Sequence, residues 1–383
     1  MAHYITAYET LYNDDDYQVK FFDSGENRII VTFTVANGRV VDDKIGFGAG
    51  VFEPLGYSML CFISKWDHWW QPDGIETAID ISRGIITRRS YADISTYGIS
   101  MGAYAAGRLS GRLNSNRSIL IAPQFTIDSS KPPFERRWSE ERKLITFARD
   151  EMEKDISPTA RKWIVHDPFH GPDRRHAALF LALPGAISVP IPFGGHSPAD
   201  LLVQIRLLKP MVLAMLNDSF QAATFRRTLR DRRRLSPLYW NMIADKTWKR
   251  SPELALEAVE RAIELGPRNA SHRSRKMGIL LRTKQYAEAA HYARKLVIEF
   301  PRQDSLWKGL SQACLKLGLS DEAIAAAQQA VKLRPSRIDM HMILLQSLML
   351  AGQTSEAKAH GATLHGLFNL DDNQNEAVRK ILK

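Results

Sequence analysis

Cysteine is scarce: the 383 residues hold two, Cys61 and Cys314, far apart in the chain. Two isolated thiols exclude a disulfide framework and a thiolate zinc site, and they suit a reducing compartment. Long apolar runs are missing too; none approaches the ~20 residues that a membrane-spanning helix needs. The opening stretch MAHYITAYETLYNDDDYQ has no basic segment followed by an apolar one, so no secretory leader is expected. A cytoplasmic location follows as the expectation. Hydrophobic (44%) and charged (25%) residues stay near globular usage, which excludes fibrous and wholly disordered chains.

What is in excess is positive charge, with 52 Lys+Arg against 42 Asp+Glu and a net charge of +10. The surplus is not shared evenly. Residues 1–216 hold 24 basic and 25 acidic side chains, whereas residues 217–383 hold 28 and 17. At roughly 100–200 residues per domain the length already implies two domains. The charge break divides them into an N-terminal domain (1–216), a basic connecting helix (217–235) and a C-terminal domain (236–383).

The first domain reads as α/β. Short runs rich in Val, Ile, Phe and Thr recur at Tyr17–Asp23, Arg28–Val35, Tyr57–Ser64, Ile94–Gly98, Ser118–Ala122, Arg161–His166 and Ala186–Pro190. Helical patterns separate several of them, at Ile75–Arg88, Met101–Leu113 and Asp173–Leu183. Such alternation predicts a mostly parallel sheet with helices on both faces, whose site lies at the C-terminal strand ends.

At one such end stands Gly98-Ile99-Ser100-Met101-Gly102, a G-x-S-x-G between strand and helix. The sharp turn lifts the serine hydroxyl above the sheet, and side chains at Gly98 or Gly102 would strike neighbouring backbone. A nucleophilic serine needs a base, and the base an orienting acid, in the order Ser, Asp or Glu, His. Asp173, opening a helix after the strand Arg161–His166, and His196, in Gly194-Gly195-His196, supply that order. Asp167 is a rival acid, nearer the strand end. The oxyanion hole is expected from the Met101 N–H and a second N–H of Thr34 or Val35.

Other strand-end loops hold Trp66, His68, Trp69 and Trp70, and Pro123-Gln124-Phe125. The tryptophans read equally as a flat substrate wall, with Trp66, His68, Trp69 and Gln124 as pocket candidates, or as a satellite core under a long loop. His166, His170, Asp173 and His176 fit no standard zinc spacing, so no metal is expected. Gly46-Phe47-Gly48-Ala49-Gly50 has no following lysine and Ser/Thr, so neither a nucleotide loop nor any cofactor is expected. Residues 129–158 are a lid-like insertion, read as a charged helix with Phe134, Trp138, Leu144 and Phe147 inward. Arg136, Arg137 and Arg142 then lie on a solvated face, or meet an acidic substrate.

GISMGAYAA, ILIAPQFTID, the D-x-x-H-A element Asp173–Ala177 and the closing GGH together resemble the α/β-hydrolase superfamily over residues 17 to 210. Within it they are similar to a bacterial group of esterase-like proteins related to accessory-secretion glycan O-acetyltransferases. The resemblance implies Ser100 as nucleophile, Asp173 as acid and His196 as base. Ala103 departs from the group, which often has a second glycine there.

The second domain repeats itself. Pro267, Pro301 and Pro335 fall 34 residues apart, and the same period aligns Ala255, Ala289, Ala323 and Ala357, and Gly318 with Gly352. With Trp307, Leu310 and Ala330 these positions resemble the tetratricopeptide repeat, in which helix pairs stack as a solenoid. Units are expected at 236–269, 270–303, 304–337 and 338–371, with a cap at 376–383. Six arginines crowd residues 226–234 and read as a solvated connecting helix or an anion-binding patch. Without aromatic interleaving or a recognition motif, nucleic-acid binding is not expected. The expected function is a serine hydrolase of a small-molecule or glycan acyl ester, with a protein partner or self-association through the repeats. Acyl transfer to a glycan or protein hydroxyl and a scaffold with an inactive N-terminal half are the alternatives.

Overall fold

The computed structural model describes residues 8–36, 46–131, 134–368, 370 and 372–382. It divides into two compact units, 1–235 and 236–383.

The first unit is built on an eight-stranded sheet. Its strands are β1 (Glu9–Asn13), β2 (Tyr17–Phe22), β3 (Arg28–Phe33), β4 (Ser58–Ser64), β5 (Asp93–Ile99), β6 (Arg117–Ile121), β7 (Arg161–His166) and β8 (Ala186–Pro190). They lie in the order β1-β2-β4-β3-β5-β6-β7-β8. β1 and β2 pair antiparallel at one edge, and the strands from β4 to β8 pair in parallel. All seven expected strands form. β1 is additional; its sequence ETLYN is exposed or half-buried throughout and carries no apolar alternation.

Around the sheet stand α1 (Ala49–Phe52), α2 (Gly74–Arg89), α3 (Met101–Arg108), α4 (Ser139–Leu144), α5 (Met152–Asp155), α6 (Gly171–Leu181), α7 (Pro198–Gln204), α8 (Leu208–Leu216) and α9 (Ala222–Arg232). The helix expected from Ile75 buries Ile75, Ala78, Ile79, Ile85 and Ile86, and Ser82 satisfies its hydroxyl on the Ala78 carbonyl over 2.8 Å. α2, α3 and α6 share one core with Val31, Phe33, Leu60, Phe62, Leu120 and Ile164. The alternate positions Ile30, Met59, Ile119, Ile121 and Val165 point the other way and are buried too. The sheet is thus covered on both faces, as parallel strands require. α3 stops at Arg108, short of the expected Leu113.

The insertion is not one helix. It holds the short α4 and α5 joined by irregular chain. Trp138 and Phe147 pack on the core as expected, but Leu144 is 74% exposed, a correction to the inward reading. α9 keeps Leu229 buried and Arg226, Arg227, Arg230 and Arg232 exposed.

The second unit consists of helix pairs: α10 (Pro237–Thr247) with α11 (Pro252–Leu265), α12 (Ala270–Arg282) with α13 (Tyr286–Glu299), α14 (Asp304–Lys316) with α15 (Ser320–Leu333), and α16 (Ile338–Leu350) with α17 (Thr354–Leu367). α18 (Asp372–Ile381) follows. Local chemistry sets their ends. Ser236 accepts the Tyr239 N–H and Asn269 the Ser271 N–H at helix starts. Pro267, Pro301 and Pro335 stand just beyond α11, α13 and α15. Gly318 and Gly352 take the left-handed turn between helices of a pair, at φ 75° and 72°. Ala255, Ala289, Ala323 and Ala357 are fully buried where helices cross closely.

Candidate active site

β5 runs into Ser100, which turns the chain directly into α3. Ser100 has φ 53° and ψ −117°, a strained conformation for a residue with a side chain. Its N–H donates to Ile121 O over 2.9 Å, so the neighbouring strand anchors the turn. A Cβ on Gly98 would stand 2.2 Å from the Gly102 carbonyl carbon, and one on Gly102 would stand 2.4 Å from Phe33 O. Both contacts are with backbone, which cannot yield. Hydrogen is the only side chain that fits either position.

Three side chains far apart in sequence meet above this turn. Ser100 Oγ lies 3.1 Å from His196 Nε2, and His196 Nδ1 lies 2.8 Å from Asp173 Oδ2. Asp173 is fully buried at the start of α6, Ser100 is 8% exposed, and the His196 side chain is 26% exposed. Asp167 faces elsewhere. Its two oxygens accept the N–H groups of Phe169 (2.9 Å) and Gly195 (2.8 Å), which ties the end of β7 to the loop that carries His196.

Asp173 Oδ1 has its own donor, the Arg137 guanidinium at 2.9 Å. Arg137 comes from the insertion, so it does not lie on a solvated helix face. Glu135 grips it through Oε1 and Oε2, and His176 sits 2.8 Å from Glu135 Oε2. The Phe125 N–H donates to His176 Nδ1 over 3.1 Å, which leaves Nε2–H to donate to Glu135. Burial raises the Glu135 carboxyl, but the bonds from His176 and Arg137 overcome it and bring the group down to about 2. Burial likewise raises Asp173; the His170 ring 3.2 Å away, the His196 N–H and the charges of His196 and Arg137 hold it well below the usual carboxylate range.

The remaining expected residues are placed differently. The Thr34 N–H is committed to Phe62 O at 3.1 Å and its hydroxyl to Ser64. Thr34 is therefore corrected as an oxyanion donor, and Val35 remains of that pair. Met101 is the first residue of α3, where an N–H has no acceptor within its own helix. The tryptophan loop is a core, not a wall. His68, Trp69 and Trp70 are fully buried; Trp70 Nε1 donates to Met101 O and His68 Nδ1 accepts the Trp70 N–H. Burial lowers His68 to about 4, so it stays neutral. Trp66 is half-buried and bonds Asp16 through Nε1.

Trp69 and Gln124 reach the site at one remove. Trp69 Nε1 donates to Gln124 Oε1 over 3.2 Å, its ring lies 5.0 Å from that of Trp138, and Trp138 lies 6.1 Å from His196. Gln124 Nε2 and Trp138 Nε1 are buried donors without a hydrogen-bond partner among the described residues.

The histidines weighed as metal ligands fall into different groupings. His166 bonds Ser188, His176 bonds Glu135, and His170, Asp173 and His196 bring ligand atoms within 4.8 Å of one another. The Arg137 guanidinium, 2.9 Å from Asp173 and 3.1 Å from His196 Nδ1, opposes a cation at that point. Sequence reasoning missed Glu135; it read Trp138 as inward and Arg137 as solvated or facing an acidic substrate, and it paired neither of them, nor His176, with the residues they meet here.

A family model described as tetratricopeptide repeat matches residues 249–304 and 279–338. Among solved structures, the chain is similar to a portion of MamA from Desulfovibrio magneticus RS-1, with 20% identity. That match covers 44% of this chain and 95% of the other, with a TM-score of 0.33. It is also similar to a thermophilic TPR protein in Thermus thermophilus, with 16% identity over 38% of this chain and 81% of the other, and a TM-score of 0.34. No curated protein matches the chain. The C-terminal unit carries tetratricopeptide repeats, and among the described residues no helix is long and apolar enough to cross a membrane.

Proposed function

We propose that the chain is a serine hydrolase of acyl esters joined to a protein-docking array. The observation that carries the hydrolase half is the continuous set of contacts from Ser100 Oγ through His196 to the buried Asp173. In that chemistry Ser100 Oγ attacks the ester carbonyl while its proton passes to His196 Nε2. The Met101 N–H faces the oxyanion. Collapse breaks the bond to the alcohol, which leaves with the proton from His196. Water then adds to the acyl-enzyme by the same route and frees the carboxylic acid and Ser100. Asp173 keeps the imidazole oriented and stabilises its charge. The orphan donors of Gln124 and Trp138 are suited to the oxygen atoms of a polar ester.

The test is turnover of chromogenic esters of increasing acyl length, with and without sugar acceptors. Ser100→Ala is expected to lower kcat by roughly 1,000-fold or more. Products carrying the acyl group on an added acceptor would assign transfer in place of hydrolysis.

A second reading, a docking scaffold whose N-terminal unit does no chemistry, is favoured by the repeat match at residues 249–338. Stacked helix pairs present extended surfaces for protein partners or for a second copy. Absence of ester turnover supports the scaffold, and turnover independent of Ser100 removes Ser100 as the nucleophile.

A further inference from the structure

We propose that Arg137 and Glu135 are positioning residues through which the insertion sets the pH at which Ser100 becomes reactive. The inference rests on the hydrolase function proposed above. Arg137 Nη1 donates to Asp173 Oδ1 over 2.9 Å, the oxygen that His196 does not use, and lies 3.1 Å from His196 Nδ1. One guanidinium thus fixes the acid and places a positive charge beside the ring that must become positive during catalysis. Left alone, that charge would oppose the imidazolium. Glu135 counters it, with Nε 3.0 Å from Oε1 and Nη2 2.6 Å from Oε2.

The pair is anchored. Glu135 is 2% exposed and is held by His176, whose other nitrogen accepts the Phe125 N–H. Glu135 and Arg137 both lie between β6 and β7, outside the elements that carry Ser100, Asp173 and His196. A shift of this segment would remove the donor from Asp173 Oδ1 and a positive charge from beside His196.

Among the described residues, few groups surround His196. Asp173 and His170 face it from α6 and the residue before it, and Ser100 from the turn after β5. Arg137 and the Trp138 ring face it from the insertion, and Asp167 holds its loop from the end of β7. Of these, Arg137 with its partner Glu135 can be altered without replacing any of the three reacting side chains.

The two residues carry opposite charges, so their effects have opposite signs. The test measures the rate of Ser100 labelling by a fluorophosphonate against pH, on the full chain. Arg137→Met removes the opposing charge, and the acid limb moves to higher pH by on the order of half a unit or more. Glu135→Gln removes the countering charge, and the limb moves to lower pH. In an Arg137→Met background the Glu135→Gln shift falls by more than half, because it acts through the guanidinium. Arg137→Lys, which restores charge without the fork, returns the limb toward wild type and keeps the test open where Arg137→Met fails to fold. Rates that fall with an unmoved limb, or limbs that move the same way, overturn the inference while the hydrolase function stands. A wild-type chain that is not labelled overturns both.

Discussion

Arg137 donates to Asp173 across 2.9 Å on the carboxylate oxygen opposite the one that faces His196. The buried acid therefore has a partner on each oxygen, one from the insertion and one from the loop after β8. Both reach it from afar in sequence, Arg137 36 residues away and His196 23, whereas His170, 3.2 Å from Oδ2, is a neighbour along the chain. The stability and the chemistry of the site are coupled through this one carboxylate.

The two candidate acids have different tasks, which substitution separates. Asp173→Asn is expected to lower kcat by roughly 10³–10⁴, because the neutral amide no longer favours the imidazolium or its tautomer. Asp167→Asn loosens the loop at Gly195 and Phe169 and costs at least about 100-fold less in kcat. Steady-state ester kinetics on the two variants checks this.

Glu135 gives an acid-dependent stability of known sign. Its folded carboxyl lies at about 2 and the free group at about 4.5, so the ionised form is favoured by folding. That contribution is complete above about pH 4.5 and is lost as pH falls toward 2. Glu135→Gln should therefore be less stable than wild type near neutrality, by about 1–3 kcal/mol, and the gap should close on acidification. Urea denaturation at a series of pH values measures it.

The turn after β5 tolerates no added side chain. Gly102→Ala places a Cβ against Phe33 O, so either the turn or β3 has to move. A loss of about 2–4 kcal/mol is expected, visible as a lower Tm for the N-terminal unit. Gly84→Ala, in α2 with nothing within 4 Å of the added carbon, serves as the control and should be neutral or slightly stabilising.

Where helices cross in the repeats, room is equally scarce. Ala289→Leu inserts three carbons at a fully buried position and should cost about 1–3 kcal/mol in urea denaturation.

The pattern of failures in the sequence reading has physical causes. Strands β2 to β8 are legible because β-branched and aromatic runs are punctuated by turn residues, and the repeats because the period of 34 recurs at residues with fixed steric tasks. The elbow at Ser100 is legible because its glycines are dictated by local backbone. β1 is not, since an edge strand with no buried residue shows no alternation. The tryptophan loop stays undecided in sequence because a buried indole and an exposed one look alike; here Trp69 and Trp70 find Gln124 and Met101 as acceptors and go inside. Arg137 is hidden for another reason. Its role depends on a partner brought close by the fold, and the helical period read across the insertion does not hold at residues 134–138, which precede α4 as irregular chain.

The central claim is that Ser100 is an activated nucleophile, and covalent labelling of the purified full chain with a fluorophosphonate probes it most directly. Labelling of wild type, lost in Ser100→Ala and strongly slowed in His196→Ala, is the predicted result. Absence of labelling would contradict the account and leave the tetratricopeptide scaffold, and labelling that survives Ser100→Ala would contradict it by placing the nucleophile elsewhere.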